Sequence, residues 1–173
     1  ALLSAAVAGD RLSWARRQLA LVLADRGADY VDEALALLDQ NRGAGGAGVA
    51  DRRVRALVLG ARPDRRREAL DTLQTLLGGP ALAPEERLAL ARLYEAVDDG
   101  PRARDLMLGL LAQDGHNPAY LAQHVEGLLR RGQAAEARPW VARLERVEPG
   151  SARTRAIRAR LPGTAAARRG QGG

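Results

Sequence analysis

The sequence predicts an all-α protein built from stacked helical hairpins, and two observations carry this prediction. The apolar residues are mostly Ala, Leu and Val, Phe is absent, and aromatic residues make up only 3% of the 173 residues. Strands are enriched in β-branched and aromatic side chains, so this composition favours helices. In addition, similar helical segments recur at a nearly constant spacing, which is typical of solenoids made of repeated supersecondary units.

An alanine in a helical segment marks each repeat. Ala34, Ala69, Ala103 and Ala137 follow one another at spacings of 35, 34 and 34 residues. Each alanine comes after a break rich in turn residues, namely "DRGADY", "ARPD", "DDGP" and "RRGQ". Two helices approach closely only where a face position is small, so we predict that each alanine lies at the contact within one helical hairpin.

Turn and capping residues divide the chain into nine predicted helices. Pro84 and Pro118 suit a first helical position, where the missing N–H costs nothing, and Asn117 and Ser151 suit N-caps. A Gly-rich insert, "RGAGGAG", separates the second and third helices of the chain. The predicted helices are 11–26, 30–41, 50–62, 64–78, 84–97, 101–113, 118–131, 134–147 and 151–161.

The ends of the chain differ from its repetitive middle. We interpret residues 1–10 as the end of a preceding repeat helix, and the whole chain as a segment of a larger bacterial protein. The segment 151–161 has Ala152, Ile157 and Leu161 on one side, which is typical of a helix that caps the last repeat. It also fits the first helix of a fifth repeat. Residues 162–173 have the composition of a flexible tail.

In the repeat domain, residues 11–150, the sequence resembles the tetratricopeptide repeat (TPR), whose 34-residue pattern is W-x2-L-G-x2-Y, then A-x3-F, then P. The units lie near 12–45, 50–83, 84–117 and 118–149. The pattern positions are occupied by Arg16, Leu19, Ala20, Leu23, Ala34 and Leu38; by Arg53, Ala56, Leu57, Gly60, Ala69 and Leu73; by Arg87, Leu90, Ala91, Tyr94, Ala103 and Met107; and by Leu121, His124, Val125, Leu128, Ala137, Val141 and Pro149. No unit has the Trp. Pentatricopeptide and Sel1-like repeats have similar periods and stay open as alternatives.

The resemblance implies a right-handed superhelical solenoid whose concave groove binds a partner protein or peptide. It also implies which side chains face that groove. The groove candidates are Trp14, Arg17, Leu21, Val54, Val58, Glu85, Leu88, Arg92, Glu95, Ala122, Glu126, Leu129 and Arg130. This set lacks the Lys, Asn and Arg combination with which some TPR proteins hold a C-terminal carboxylate, so binding of a chaperone tail is disfavoured.

Charge is distributed unevenly along the chain. All 27 basic residues are Arg, and the net charge is +6. Residues 1–150 hold 21 Arg and 21 acidic residues, whereas residues 151–173 hold six Arg and no acid. A nucleic-acid-binding surface requires a basic face on the folded part, which here is neutral overall. Nucleic acid is therefore an unlikely partner, although a nucleic-acid-binding helical repeat remains the first alternative function.

The residues that usually carry catalysis form no recognisable motif. Cys is absent, and the two histidines occupy different settings, His116 in a turn and His124 at an inward-facing repeat position. The Gly-rich insert lacks the Lys and the preceding strand of a phosphate-binding loop, and no apolar run is long enough to span a membrane. We therefore predict no catalytic, cofactor-binding or metal-binding residues, and a protein-interaction scaffold. A second alternative is a regulatory or scaffolding segment of a larger enzyme.

Overall fold

The computed structural model describes residues 2–41, 48–76 and 81–162, with side chains from residue 9 onward. This part of the chain is all-α, as predicted, and no strand occurs in it. Short 3-10 turns at Ala28–Tyr30 and Pro63–Arg65 precede two of the helices. The helices are α1 (Leu2–Arg26), α2 (Val31–Asp39), α3 (Val49–Leu59), α4 (Arg66–Leu76), α5 (Pro84–Ala96), α6 (Gly100–Gln113), α7 (Pro118–Arg130), α8 (Ala134–Val147) and α9 (Ala152–Ala159).

The first helix is longer than the sequence predicts. A single helix runs from Leu2 to Arg26, so residues 2–10 continue into 11–26 and do not form the end of a separate helix. No proline or paired turn residue interrupts this stretch, and one glycine, Gly9, costs a helix only about 1 kcal/mol. Residues 42–47 of the Gly-rich insert and residues 163–173 of the predicted tail lie outside the described residues.

The predicted start signals act as expected. Helix α5 begins at Pro84, and the carboxylate of Glu86 accepts a hydrogen bond from the N–H of Ala83 at 2.9 Å. Helix α7 begins at Pro118, where the side-chain oxygen of Asn117 accepts bonds from two backbone N–H groups, at 3.0 and 3.3 Å. Ser151 caps α9 in the same way, at 3.0 Å. These bonds satisfy N–H groups that lack a partner within a helix.

The chain forms two compact units, and the division falls between Asp99 and Gly100, inside the third predicted repeat. In the first unit, α1 pairs with α2 and α3 pairs with α4, so the first two predicted hairpins are present. Helix α3 also packs against α1, α2 and α5, and α5 packs against α1, α3 and α4. The core of the first unit therefore lies around α3, which has neighbours on several sides.

In the second unit, α7 pairs with α8, and α6 packs against α7. Helix α9 lies against both α7 and α8, which fits both the predicted capping helix and the predicted first helix of a fifth repeat. Its buried residues are Thr154 and Ile157, while Ala152 is exposed. The expected inner position of Ala152 was wrong, because the buried side of α9 begins two residues later, at Thr154, whose N–H donates to the hydroxyl oxygen of Ser151.

The repeated alanines are buried. Ala34, Ala103 and Ala137 are 0% exposed, and Ala69 is 2% exposed. Of these, Ala34, Ala69 and Ala137 lie in helices that pair with the preceding helix of their own hairpin. The small side chain at this repeat position thus coincides with close helix packing, as the 34-residue period predicts.

Candidate functional site

A cavity of about 180 Å³ opens in the first unit between the C-terminal halves of α1, α3 and α5. Two of the predicted groove residues, Leu21 and Arg92, line it. The remaining lining residues are Ala24, Asp25, Leu57, Gly60, Ala61, Arg66, Ala89, Leu93 and Ala96. Because α1, α3 and α5 are the first helices of three successive repeats, the cavity lies on the side that the TPR resemblance assigns to the groove.

Small residues create this space. Gly60 ends α3 so close to α5 that an added Cβ would lie 2.8 Å from Cδ1 of Leu93 and 3.3 Å from Cβ of Ala69. This contact brings the ends of α3 and α5 together on one side. Ala24 and Ala89, which offer only methyl groups, face the opening. The helices therefore touch at Gly60 and leave a gap beside it.

The floor of the cavity is apolar and its charged groups belong to three residues. Leu21, Leu57 and Leu93 are 9%, 6% and 5% exposed, so their side chains present only a small accessible surface. A guanidinium nitrogen of Arg92 forms an ion pair with a carboxylate oxygen of Asp25. Arg66 completes the set, so the cavity holds two positive charges and one negative charge.

Arg66 has spare hydrogen-bonding capacity. Its Nη1 donates to the carbonyl oxygen of Ala96 at 3.3 Å. Its Nε is buried and has no hydrogen-bond partner among the described residues. Buried polar groups usually have partners. Because Arg66 lines the cavity, an acceptor that meets the exposed part of its guanidinium would gain a charge-assisted hydrogen bond.

These features suit recognition of a single side chain. The cavity is smaller than the roughly 300–1,000 Å³ of sites for drug-sized ligands, so it has room for a short aliphatic group. The net positive charge favours an acidic group next to it, because guanidinium and carboxylate match in geometry. No Ser, Thr, Cys or His lines the cavity.

The other groove candidates of the first unit divide by exposure. Trp14 and Glu85 are exposed, and Leu88 is half-buried. Arg17 is half-buried and forms a 3.2 Å ion pair with Asp51. These four residues do not line the cavity.

Several groove candidates are wrong because they are buried. Val54 and Val58 are 1% and 0% exposed, Glu95 is 8% exposed, and Ala122 of the second unit is 0% exposed. Val54 and Val58 lie in α3, which is enclosed by α1, α2, α4 and α5. A helix with neighbours on so many sides has no free face at those positions. Leu21 is also buried, yet its surface contributes to the cavity.

The groove candidates in α7 pair with α9, pack against the core of the second unit or face solvent. Glu126 accepts hydrogen bonds from Nε and Nη2 of Arg153 at 3.4 and 3.3 Å, which ties α7 to the capping helix α9. Leu129 packs against the core of this unit. Arg130 is exposed. Of the candidates in α7, Glu126 therefore holds α9 in place.

Sequence reasoning missed Asp25 and Arg66. Asp25 lies four residues after Leu21 and thus on the same face of α1, so a signal for it was available. Arg66 follows the 3-10 turn Pro63–Arg65, which turns it towards the end of α5. Nothing in the sequence around Arg66 indicates that its side chain approaches the end of α5.

The histidines and acidic residues form no metal-binding group in the part of the chain that the structure describes. Residues 9–41, 48–76 and 81–162 contain no group of three His, Cys, Asp or Glu side chains that could hold a metal ion. His124 is buried and packs edge-on against Trp140, with ring centroids 4.8 Å apart. His116 is exposed in its turn. Both histidines occupy the settings that the sequence predicts.

Comparison of the sequence with protein-family models and with curated proteins gives no match. A solved structure of MamA AMB-1, in the form P212121, is similar in fold, with 20% sequence identity and a TM-score of 0.53. The likeness covers 87% of this chain and 81% of that chain. MamA is a TPR-like helical protein, so the chain has a TPR-like helical repeat fold. Among the described helices, none is long and apolar enough to cross a membrane.

Proposed function

We propose that the protein is an interaction scaffold that binds a partner protein or peptide at the cavity between α1, α3 and α5, without catalysing a reaction on it. The observation that supports this function is an apolar floor next to two guanidinium groups on the groove side of a TPR-like fold. A partner segment would insert an aliphatic side chain and place a neighbouring carboxylate at Arg66 and Arg92.

The cavity provides part of the binding energy. Complete burial of one aliphatic side chain contributes about 1.5–3 kcal/mol, and a hydrogen bond to a charged group about 1.5–3 kcal/mol. Together these reach only about millimolar affinity. A tighter complex needs further contacts, for which the half-buried Leu88 of α5 is available.

Filling the cavity should abolish selective peptide binding. We expect a random peptide display library panned on the full chain to yield segments with an aliphatic residue beside Asp or Glu. Ala89→Leu fills the cavity, and Arg92→Glu reverses its charge, so each should lower the affinity of such a peptide at least about tenfold, or 1.4 kcal/mol. Fluorescence anisotropy with the labelled peptide measures the change.

A matched variant tests whether the cavity or a broader groove is responsible for peptide binding. Glu85→Ala alters an exposed residue of the same helix that does not line the cavity, and we expect it to change the affinity less than about threefold. Circular dichroism shows whether each variant is folded. Peptides that bind the wild type and Ala89→Leu equally well would contradict the proposed site.

The exposed arginines of α9 favour one second candidate, a weak interaction with nucleic acid. Arg153, Arg155, Arg158 and Arg160 are all exposed. Two of them are already paired with acids, Arg153 with Glu126 at 3.3 Å and Arg158 with Glu145 at 2.7 Å. The basic character of this helix is therefore partly neutralised within the second unit.

We expect binding to a labelled oligonucleotide to be weak, because a few arginines contact few phosphates, and to decrease with rising salt, because it depends on counterion release. The double variant Arg155→Glu with Arg160→Glu should remove it, while Arg52→Glu, an exposed arginine in α3, should not. Anisotropy titrations at two salt concentrations provide the measurement. Tight binding that persists in high salt and in the double variant would favour a nucleic-acid-binding protein.

A further inference from the structure

Helix α1 has an apolar stripe on its exposed side. Leu12, Leu19 and Val22 are 51%, 48% and 57% exposed, and the exposed Ala15 lies between them. Their spacing of three, four and three residues places all four on one face of the helix. The neighbouring side of the helix, which includes Ala20 and Leu23, is buried in the first unit. A helix that is apolar on both sides is usually covered on both sides.

We propose that this stripe, defined as Leu12, Ala15, Leu19 and Val22, binds the same stripe of a second copy with the two α1 helices antiparallel. The spacing of the four residues is symmetric about its midpoint. An antiparallel pair therefore places Leu12 opposite Val22 of the second copy, and Ala15 opposite Leu19. Ala15 of each copy then leaves room for Leu19 of the other, Leu12 packs against Val22, and the contact closes on itself with two-fold symmetry.

Charge along one edge of the stripe supports the antiparallel direction. Arg11, Gln18 and Asp25 follow one another at seven-residue intervals, so they lie on the same side of the stripe. In the antiparallel pair, Arg11 of one copy faces Asp25 of the other, twice by symmetry. Asp25 also pairs with Arg92 of its own copy, and about half of its side chain, 49%, remains exposed. Both Arg11–Asp25 pairs are attractive.

Charge on the other edge disfavours the parallel arrangement. A parallel pair would bring Arg11 against Arg16 of the second copy, which is repulsive. Whereas the parallel pair has two Arg11–Arg16 contacts, in the antiparallel pair the two copies of Arg16 meet once, on the other edge. There, each Arg16 guanidinium is held by its own chain, through the side-chain oxygen of Asn41 at 3.2 Å and the carbonyl oxygen of Gln40 at 3.3 Å.

The contact should be weak and concentration-dependent. Stable interfaces usually bury about 1,200–2,000 Å² in total, and one helix face from each copy lies near or below the lower end of that range. None of the four stripe residues lines the cavity, and of the residues used in this contact only Asp25 does. Dimer formation and peptide binding can therefore fail separately.

Sedimentation of the full chain over a wide concentration range tests the dimer. We expect a reversible monomer–dimer equilibrium, and we expect Leu19→Glu to weaken the dimer at least ~100-fold because two buried carboxylates replace apolar contacts. Leu108→Glu is the matched control, since Leu108 is also exposed, at 39%, but lies in α6 of the second unit. It should leave the equilibrium unchanged. A chain that is monomeric at every concentration, or a dimer equally weakened by both variants, overturns the proposal.

Disulfide trapping tests the direction of the helices. The chain has no Cys, so single cysteines can be introduced without interference. A mixture of the Ala15→Cys and Leu19→Cys variants should form mainly the mixed disulfide, because a disulfide requires Cα atoms about 4.4–6.8 Å apart and these two positions face each other. A parallel pair would bring identical positions together. Excess of the two symmetric disulfides over the mixed one would overturn the antiparallel arrangement.

Discussion

Replacement of Ala137 by leucine is expected to lower the free energy of unfolding of the second unit by about 1–3 kcal/mol. Ala137 is 0% exposed and belongs to a buried cluster that includes Leu121, Leu128 and Leu144. Protein interiors are packed about as densely as organic crystals, so three additional carbon atoms fit only if neighbours leave their preferred rotamers or α8 moves away from α7.

Ala135→Leu is the matched control. Ala135 lies in the same helix but is exposed, so it gives the same change in composition and helix propensity without overpacking. We expect its effect to stay within about 0.5 kcal/mol, as for most surface substitutions. Urea unfolding followed by circular dichroism measures both variants. Equal effects at the two positions would contradict close packing at Ala137.

Features that depend on neighbouring residues in the chain could be predicted from the sequence. Pro84 and Pro118 begin helices, and Asn117 and Ser151 cap them, because the orphan N–H groups of a first turn are satisfied by residues next to it. The buried alanines were predictable for a related reason, since the 34-residue period places equivalent positions in equivalent packing.

Features that depend on the number of neighbours around a helix could not be predicted. Val54 and Val58 have the spacing of a groove face, but α3 is surrounded by four helices and both side chains are enclosed. The reverse holds for α1, where no described helix covers Leu19, so an apolar residue that would normally be assigned to a core is 48% exposed. The periodic pattern of apolar residues indicates which residues share a helix face, and only the packing of the helices shows what covers that face.

The residues of the candidate site could be predicted only in part, because they too depend on how the helices pack. Arg92 was identified from its repeat position, and it does reach the cavity. Arg66 reaches the same cavity from the beginning of α4, a helix whose position in the repeat does not assign it to the groove. A cavity formed by residues of four helices depends on their approach in space, which a repeat pattern does not specify.

His124 gives the second unit a predicted dependence on pH. The residue is 4% exposed, and its ring meets that of Trp140 edge-on, at an interplanar angle of 77°. Burial, with smaller contributions from Arg131 and Arg104, lowers the pKa of His124 from 6.5 to about 4, while Glu136 opposes the shift. Since protonation is then less favourable in the folded state, the unfolded chain binds more protons between pH 6.5 and 4. Stability contributed by the neutral ring is complete above pH 6.5 and is lost as the pH falls through this window.

We expect the free energy of unfolding to fall by roughly 3 kcal/mol more in the wild type than in His124→Phe between pH 7 and pH 4, at about 1.4 kcal/mol per pKa unit. Phenylalanine retains an aromatic edge against Trp140 and does not titrate. Carboxylates titrate in both proteins, so their contribution largely cancels in the difference. His116→Gln replaces the exposed histidine and should leave the wild-type profile in place. Urea unfolding at successive pH values measures all three proteins, and parallel profiles for the wild type and His124→Phe would show that the buried ring does not resist protonation.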